Sequence, residues 1–481
     1  MFLKQVNPTP EQRKIFFLNP DQPTLLSGRA GSGKTTTAIL RAKQLINFYK
    51  RQGLEPRVGF FVFNNTLKNY LETLANIYLQ GVNFEVWVVD KWCKNFLETR
   101  GLLNYIIADE SRCKSCLQQA IEAIKLSSRN PRLINDLGYD FLVEEINYLL
   151  GRFGLDTMSY IESERIGRGS NPNIDDQTKR LIAEELVPAY QLALEESNYI
   201  DWNYLREQVF SFMQAGAEYE KYDILVVDEA QDLSALQIKI LLELTSSDTN
   251  SITFIRDTTQ RIYKNNYIWD DININFEISS KLDLEKNYRN TREIAKVAAS
   301  LMQSALNHEN DINILDPDST ETSGLKPIWV RGRYLNQQQY LFNTLGNIDI
   351  STESVGILHM RMSDVNELYV KLWHLGYDNC FLLREEDNLK DASGGIYIST
   401  LHSAKGLEFD HVFIVGYDDF FAPGPNSLLH RSTSAHLSAH RKLLYTAITR
   451  ARKTLTITSS INEYSRFLKE IDINLLQTIS V

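Results

Sequence analysis

The chain has 481 residues, of which 43% are hydrophobic and 23% charged, and a net charge of −10 at pH 7. That length fits about two to four domains with well-buried cores, and the acidic balance argues against a protein that coats nucleic acid non-specifically while leaving room for a local basic groove. The apolar runs are too short to span a membrane, the opening Met1–Glu11 is polar rather than signal-like, and the four cysteines are too few and scattered for a disulfide frame, so a cytoplasmic protein with no membrane partner is expected.

The first element is a strand-like run, Thr24–Ser27. It enters Gly28-Arg29-Ala30-Gly31-Ser32-Gly33-Lys34-Thr35, a full match to G-x-x-x-x-G-K-[ST]. Gly28, Gly31 and Gly33 let the backbone fold tightly enough to point its N–H groups at phosphate oxygens. Lys34 adds a point charge, and the Thr35 hydroxyl is set to hold Mg²⁺. Arg29, Ala30, Ser32 and Thr36 complete the cradle. A glycine- and proline-free stretch, Thr35–Tyr49, leaves it as a helix whose N-terminus faces the anion.

Further strands are expected at Arg57–Phe63 and Phe84–Val89. Residues 100–216 then carry almost no strand signal, but helical periods at Ser115–Lys125, Phe141–Phe153, Gln177–Glu196 and Tyr204–Gln214, with a loop at Gly167–Asn173. Cys113-x-x-Cys116 lies here as a lone pair, read as two thiols on a helix surface rather than a zinc site. Strands resume at Tyr222–Asp228 and Ser251–Arg256. A second series follows at Pro327–Val330, Ser354–Leu358, Asn379–Leu383, Gly395–Thr400, His411–Gly416 and Thr454–Ser459. Such alternation predicts two α/β domains, each a parallel sheet with helices on both faces.

Residues 222–232 read Tyr-Asp-Ile-Leu-Val-Val-Asp-Glu-Ala-Gln-Asp. An apolar strand delivers Asp228 and Glu229 to the carboxyl edge of its sheet, where open α/β sheets bind ligands. Asp228 is expected to hold Mg²⁺ through water and Glu229 to polarise an attacking water.

The ordered blocks GRAGSGKT, DEAQD, Asp-Thr-Thr-Gln-Arg-Ile-Tyr (257–263), Asn-Tyr-Arg-Asn-Thr (287–291), Ser-Thr-Leu-His-Ser-Ala-Lys-Gly-Leu-Glu-Phe (399–409) and Leu-Tyr-Thr-Ala-Ile-Thr-Arg-Ala-Arg (444–452) resemble those of the UvrD/Rep-type superfamily-1 helicases, from about residue 8 to about residue 460. The resemblance implies two RecA-like P-loop NTPase domains with a mainly helical insertion in the first. The expected division is 1–99 and 217–280 for the first domain, 100–216 for the insertion and 281–481 for the second domain. ATP and Mg²⁺ are the implied cofactors.

The resemblance also implies roles at matching positions. Gln12 reads the adenine edge, Tyr288 stacks on the adenine ring and Glu408 meets the ribose. Gln260 senses the γ-phosphate, which Arg289 and Arg450 reach from the second domain. Both arginines are far from the phosphate loop in sequence, so they complete the site only when two domains close. An arginine finger of this kind is worth ~10³–10⁵ in rate. Single-stranded DNA is the implied track, with aromatic platforms at Phe63, Tyr263, Tyr267 and Trp269 and polar contacts from Asn65, Thr400 and His402. Histidines 430, 436 and 440 read as solvated.

Departures from the family pattern include Arg256 in place of the usual glycine before the 257–263 block, and Val62-Phe63-Asn64-Asn65 and Val88-Val89-Asp90 in strand-contacting segments. About 110 residues separate Arg289 from Thr400, too few for the large accessory domain of bigger helicases of this type. The activity that the resemblance implies is ATP-dependent 3′ to 5′ movement on single-stranded or partly duplex DNA in DNA repair, and the short spacing adds the expectation of a compact machine. A nucleotide-gated sensor subunit with a protein partner on the helical insertion is the alternative, and RNA is a lesser candidate track.

Overall fold

The structure is a computed structural model that describes residues 7–28, 31–127, 137–163, 174–257, 272, 274, 276–303, 316–320, 322–383, 394–404, 407–419 and 434–481. The expected loop at 167–173 lies outside these residues.

Strands β1 (Thr24–Gly28), β2 (Val58–Val62), β3 (Phe84–Val88), β4 (Ile106–Ile107), β5 (Tyr199–Ile200), β6 (Ile224–Val227), β7 (Ser251–Arg256) and β8 (Lys281–Leu284) form two sheets. The larger has six strands in the order β3-β2-β6-β7-β1-β8, all parallel; β4 and β5 pair separately. Parallel neighbours need crossovers, and helices supply them. The central strands β2 and β6 are buried at every residue, as a sheet covered on both faces requires. One face packs against the phosphate-loop helix Lys34–Arg51 and the helix Asn65–Tyr78. The other packs against the helical segment, which shares one continuous core with Phe61, Leu225, Val227 and Phe254. The insertion is thus a layer of the first domain.

β8 differs from the expected division. The sequence places residue 281 at the start of the second domain, whereas Lys281–Leu284 pairs with β1 at the edge of the first sheet. Its alternating burial, with Leu282 and Leu284 turned inward, suits an edge strand.

Strands β9 (Ile328–Arg331), β10 (Ser354–His359), β11 (Cys380–Leu382), β12 (Gly395–Thr400), β13 (Phe409–Ile414), β14 (Ala451–Ser459) and β15 (Gln477–Ser480) form the second sheet, in the order β11-β12-β10-β13-β14-β9-β15. Each neighbouring pair is again parallel. Separate cores cover its two faces.

Within the helical layer, the expected helix Gln177–Glu196 contains a π segment at Leu181–Leu186. Pro188 explains it: proline has no N–H for the Glu184 carbonyl and its ring collides with that carbonyl, so the preceding turn widens. Cys116 is 2% exposed and Cys113 half-buried, which corrects the surface reading of both thiols. They lie on the core side of the helix Glu110–Ser127, and no cluster of three metal-ligating side chains occurs among the described residues.

Candidate active site

The phosphate loop follows β1, and the helix Lys34–Arg51 starts from Gly33, which holds φ +79° and offers no capping side chain to the first turn. Its leading amides face the cleft, as an anion site requires. Because β7 lies between β1 and β6, the residue following β7 falls between the loop and the acidic pair after β6. That residue is Asp257, and Lys34 Nζ donates to its Oδ2 at 3.0 Å and to the Gly28 carbonyl at 2.9 Å. Sequence reasoning assigned Asp257 no role, although it opens the 257–263 block.

Thr35 Oγ1 donates to Asp228 Oδ2 at 2.8 Å. Burial, and then the charge of neighbouring Glu229, push the Asp228 carboxyl up to about 7. Glu229 holds φ +53°, a left-handed conformation unusual for a residue with a side chain, so the chain turns sharply after β6. Its carboxylate accepts from the Gln231 amide, whose Oε1 in turn accepts from the Asp257 N–H at 3.0 Å. Two adjacent acids beside a hydroxyl already aimed at one of them form a hard-oxygen donor set suited to a divalent cation.

The block 287–291 reaches this cleft through the loop itself. Tyr288 N–H donates to the Gly31 carbonyl at 3.0 Å. Gly31 holds φ +79°, and a Cβ there would sit 2.2 Å from Asn287 Oδ1 and 2.6 Å from Arg289 Cβ. Only glycine fits. Arg289 pairs with Glu408, while its Nε and Nη1 are buried with no hydrogen-bond partner. Unpartnered buried guanidinium donors are costly unless they have an acceptor to meet. The Glu408 carboxyl is raised by burial but pulled below its ordinary value by Arg289, Arg452 and Arg450.

Arg450 is 1% exposed. Its guanidinium donates to Thr446 O, Leu407 O and Thr449 Oγ1 at 2.9, 3.2 and 3.3 Å, and burial and then Arg289 push its pKa down to about 10. It therefore stands in the cleft while also bracing its own domain.

Gly31, Gly33, Lys34, Thr35, Thr36, Asp228, Glu229, Arg289, Glu408 and Arg450 all line one cleft of about 530 Å³, together with Asp257, Leu67 and Tyr70. Tyr70, on the helix Asn65–Tyr78, packs against cores of both domains, and burial, with Glu408 next, raises its hydroxyl pKa. Nothing in its local pattern marks it apart from an ordinary helix position. Gln12 sits behind the loop: its Nε2 donates to Ser32 O and its Oε1 accepts from Thr9 N–H, both at 3.0 Å. Arg29, Ala30 and Gln260 lie outside the described residues.

The expected strand contacts divide. Phe63 follows β2 and packs, half-buried, against the core of the helical layer. Asn65 opens the helix that Asn64 caps through the Leu67 N–H at 2.9 Å. Thr400 ends β12, with its Oγ1 accepting from Ser403 N–H at 3.1 Å, and His402 beyond it is exposed. All four thus sit at the carboxyl edges of the two sheets. Tyr263, Tyr267 and Trp269 lie outside the described residues, as does His430. His440, expected to be solvated, is stacked on Phe467.

Two parallel-sheet domains sharing a phosphate-loop cleft define a P-loop NTPase whose site draws on both domains. The family model for the UvrD/REP helicase N-terminal domain matches residues 8–267, and that for the UvrD-like helicase C-terminal domain matches residues 339–462. The chain belongs to the UvrD-like helicase family and is an ATP-hydrolysing helicase of the UvrD/Rep type. It is 25% identical over 473 residues to a probable DNA helicase of Mycoplasma pneumoniae, covering 93% of this chain and 84% of that one. It is 27% identical over 275 residues to the putative ATP-dependent DNA helicase R568 of Acanthamoeba polyphaga mimivirus, covering 55% of this chain and 38% of that protein. DNA helicase IV of Escherichia coli is 24% identical over 310 residues, covering 60% of this chain and 42% of the relative. The chain thus spans less than half the length of the last two. No helix among the described residues is long and apolar enough to cross a membrane.

Proposed function

We propose that the chain is an ATP-dependent DNA helicase or single-strand translocase that moves 3′ to 5′, using ATP and Mg²⁺ in the cleft between its two sheets. The observation that carries this reading is that Arg289 and Arg450, from the second half of the chain, line the same cleft as Lys34 and Glu229.

In this reading Lys34 exchanges Asp257 and the Gly28 carbonyl for the outer phosphates. Thr35 and Asp228 would hold Mg²⁺, which would supply positive charge against the phosphate oxygens. Glu229, oriented by Gln231, accepts a proton from the attacking water. Arg289 leaves Glu408, and its unpartnered donors meet the γ-phosphoryl oxygens as charge develops there. Gln12 and Tyr288, both bonded to the loop backbone, sit at its base-proximal side. Hydrolysis removes the anion that ties Arg289 to Lys34, so the cleft opens with each turnover. Phe63, Asn65, Thr400 and His402, at the edges of the two sheets, then grip a single strand alternately.

The test is ATP hydrolysis with and without single-stranded DNA. Stimulation is expected, with loss in Lys34→Ala and Glu229→Gln, and with faster arrival at a 5′-end label than at a 3′-end label in stopped flow. Absence of stimulation by DNA would defeat the motor reading, and arrival at the 3′ end would reverse the polarity.

A further inference from the structure

The helical layer carries a second cavity of about 630 Å³, remote from the nucleotide cleft in its lining. Its walls come from the helices Val187–Glu196 and Trp202–Gln214, from Leu155, from Tyr105 just before β4 and from Tyr199 in β5. The walls are mainly apolar. The Tyr204 hydroxyl donates to Val187 O at 3.1 Å, so its polar end is already satisfied. At the mouth Leu155 is 49% and Phe212 38% exposed, which is costly for large apolar side chains that meet only water.

Two carboxylates stand in this apolar lining, Glu195 and Glu207, and no cation does. Glu195 accepts from the Gln191 amide at 3.0 Å. Glu207 is pressed against Gly154, where a Cβ would lie 2.4 Å from its Oε2, and Gly154 holds φ +62°. The loop is therefore built to let this carboxylate stand there. Among the described residues Glu207 makes neither a hydrogen bond nor an ion pair, and Lys239 acts on it only at a distance. Arg112 lies over the Tyr199 ring at 5.0 Å but is drawn to Asp109. A half-buried acid beside an apolar hollow calls for a cation carried by an apolar body.

We propose that this hollow is a docking site for a protein partner that inserts an aromatic or aliphatic side chain next to a lysine or arginine, the cation pairing with Glu207 and Glu195. The hollow is large enough for one such anchor, and buried anchors of this type dominate interface energies. The charge pattern selects a basic segment over an acidic one. The proposal does not depend on the track or polarity of the motor.

The test is selection of a random peptide library displayed on phage against the full chain, followed by binding of one enriched, fluorescently labelled peptide. Enriched peptides are expected to place Lys or Arg beside a large apolar residue. Binding is expected to weaken about tenfold in Glu207→Gln and more in Phe212→Ser, with ATP hydrolysis unchanged in both variants as the check on folding. No enrichment, enriched peptides without a basic residue, or equal binding by Glu207→Gln would overturn the proposal. So would sedimentation showing a dimer that Phe212→Ser dissolves, because the occupant would then be a second copy of the chain.

Discussion

The Thr35 hydroxyl donates to the Asp228 carboxylate across 2.8 Å, joining the phosphate loop to the acidic end of β6. The Asp228 carboxyl, with an ordinary value of 3.8, is pushed up to about 7 by burial and by Glu229. A raised carboxyl contributes stability in full below its unfolded value and loses that contribution as pH rises through the folded one. The nucleotide-free protein therefore loses stability between about pH 4 and pH 7 on account of this group. Magnesium needs the ionised form, so its affinity is expected to rise from about pH 6 to about pH 8. Calorimetric titration of Mg²⁺ with ADP at several pH values checks this; Asp228→Asn should abolish the pH dependence.

Gly31→Ala should be severe. The added methyl lands on Asn287 Oδ1, which accepts the Arg289 N–H at 2.9 Å, and the φ of +79° disfavours any side chain. A stability loss of about 1–3 kcal/mol is expected from the strain, with ATP turnover down more than about tenfold because loop and arginine are displaced together. Gly53→Ala is the control. It has φ +85° with open space around it, so only the backbone cost, about 1 kcal/mol, should appear in denaturant melts.

Arg289→Lys keeps a cation beside Glu408 but loses the planar fork. The rate of ATP cleavage in single turnover is expected to fall ~10³-fold while nucleotide affinity moves only a few-fold. A fall of less than about tenfold would remove Arg289 from the chemistry. Arg450→Lys should lower the melting temperature as well as turnover, because three of its hydrogen bonds brace its own domain.

Arg41 offers a stability test away from the cleft. It is 1% exposed, its charge held down to a pKa of about 10 by burial, and it donates to the carbonyls of Ile15, Leu18 and Asn19 at 3.0, 3.0 and 2.6 Å. These bonds staple the N-terminal segment, with Gln12, to the phosphate-loop helix. Arg41→Met is expected to cost about 2–4 kcal/mol in urea unfolding, since the buried carbonyl of Ile15 and the partly buried ones of Leu18 and Asn19 lose a charged donor. ATP should also bind more weakly as Gln12 loosens.

Much of the site was legible because its chemistry is local. Gly28 to Thr35 specify a phosphate cradle by spacing alone, and an apolar strand ending in Asp228-Glu229 needs no partner to be recognised. Most strands could be read from their apolar runs, and the helical layer from its periodicity. The assignment of β8 to the first sheet could not, because its alternation fits the edge of either sheet and pairing is settled by a neighbour more than 250 residues away in the chain. Strand order decided that Asp257 faces Lys34, and packing between the domains decided that Arg289 rests on Glu408 and that Tyr70 lines the cleft. Local periodicity records which way a side chain turns from its own element; it carries no record of which distant element waits there.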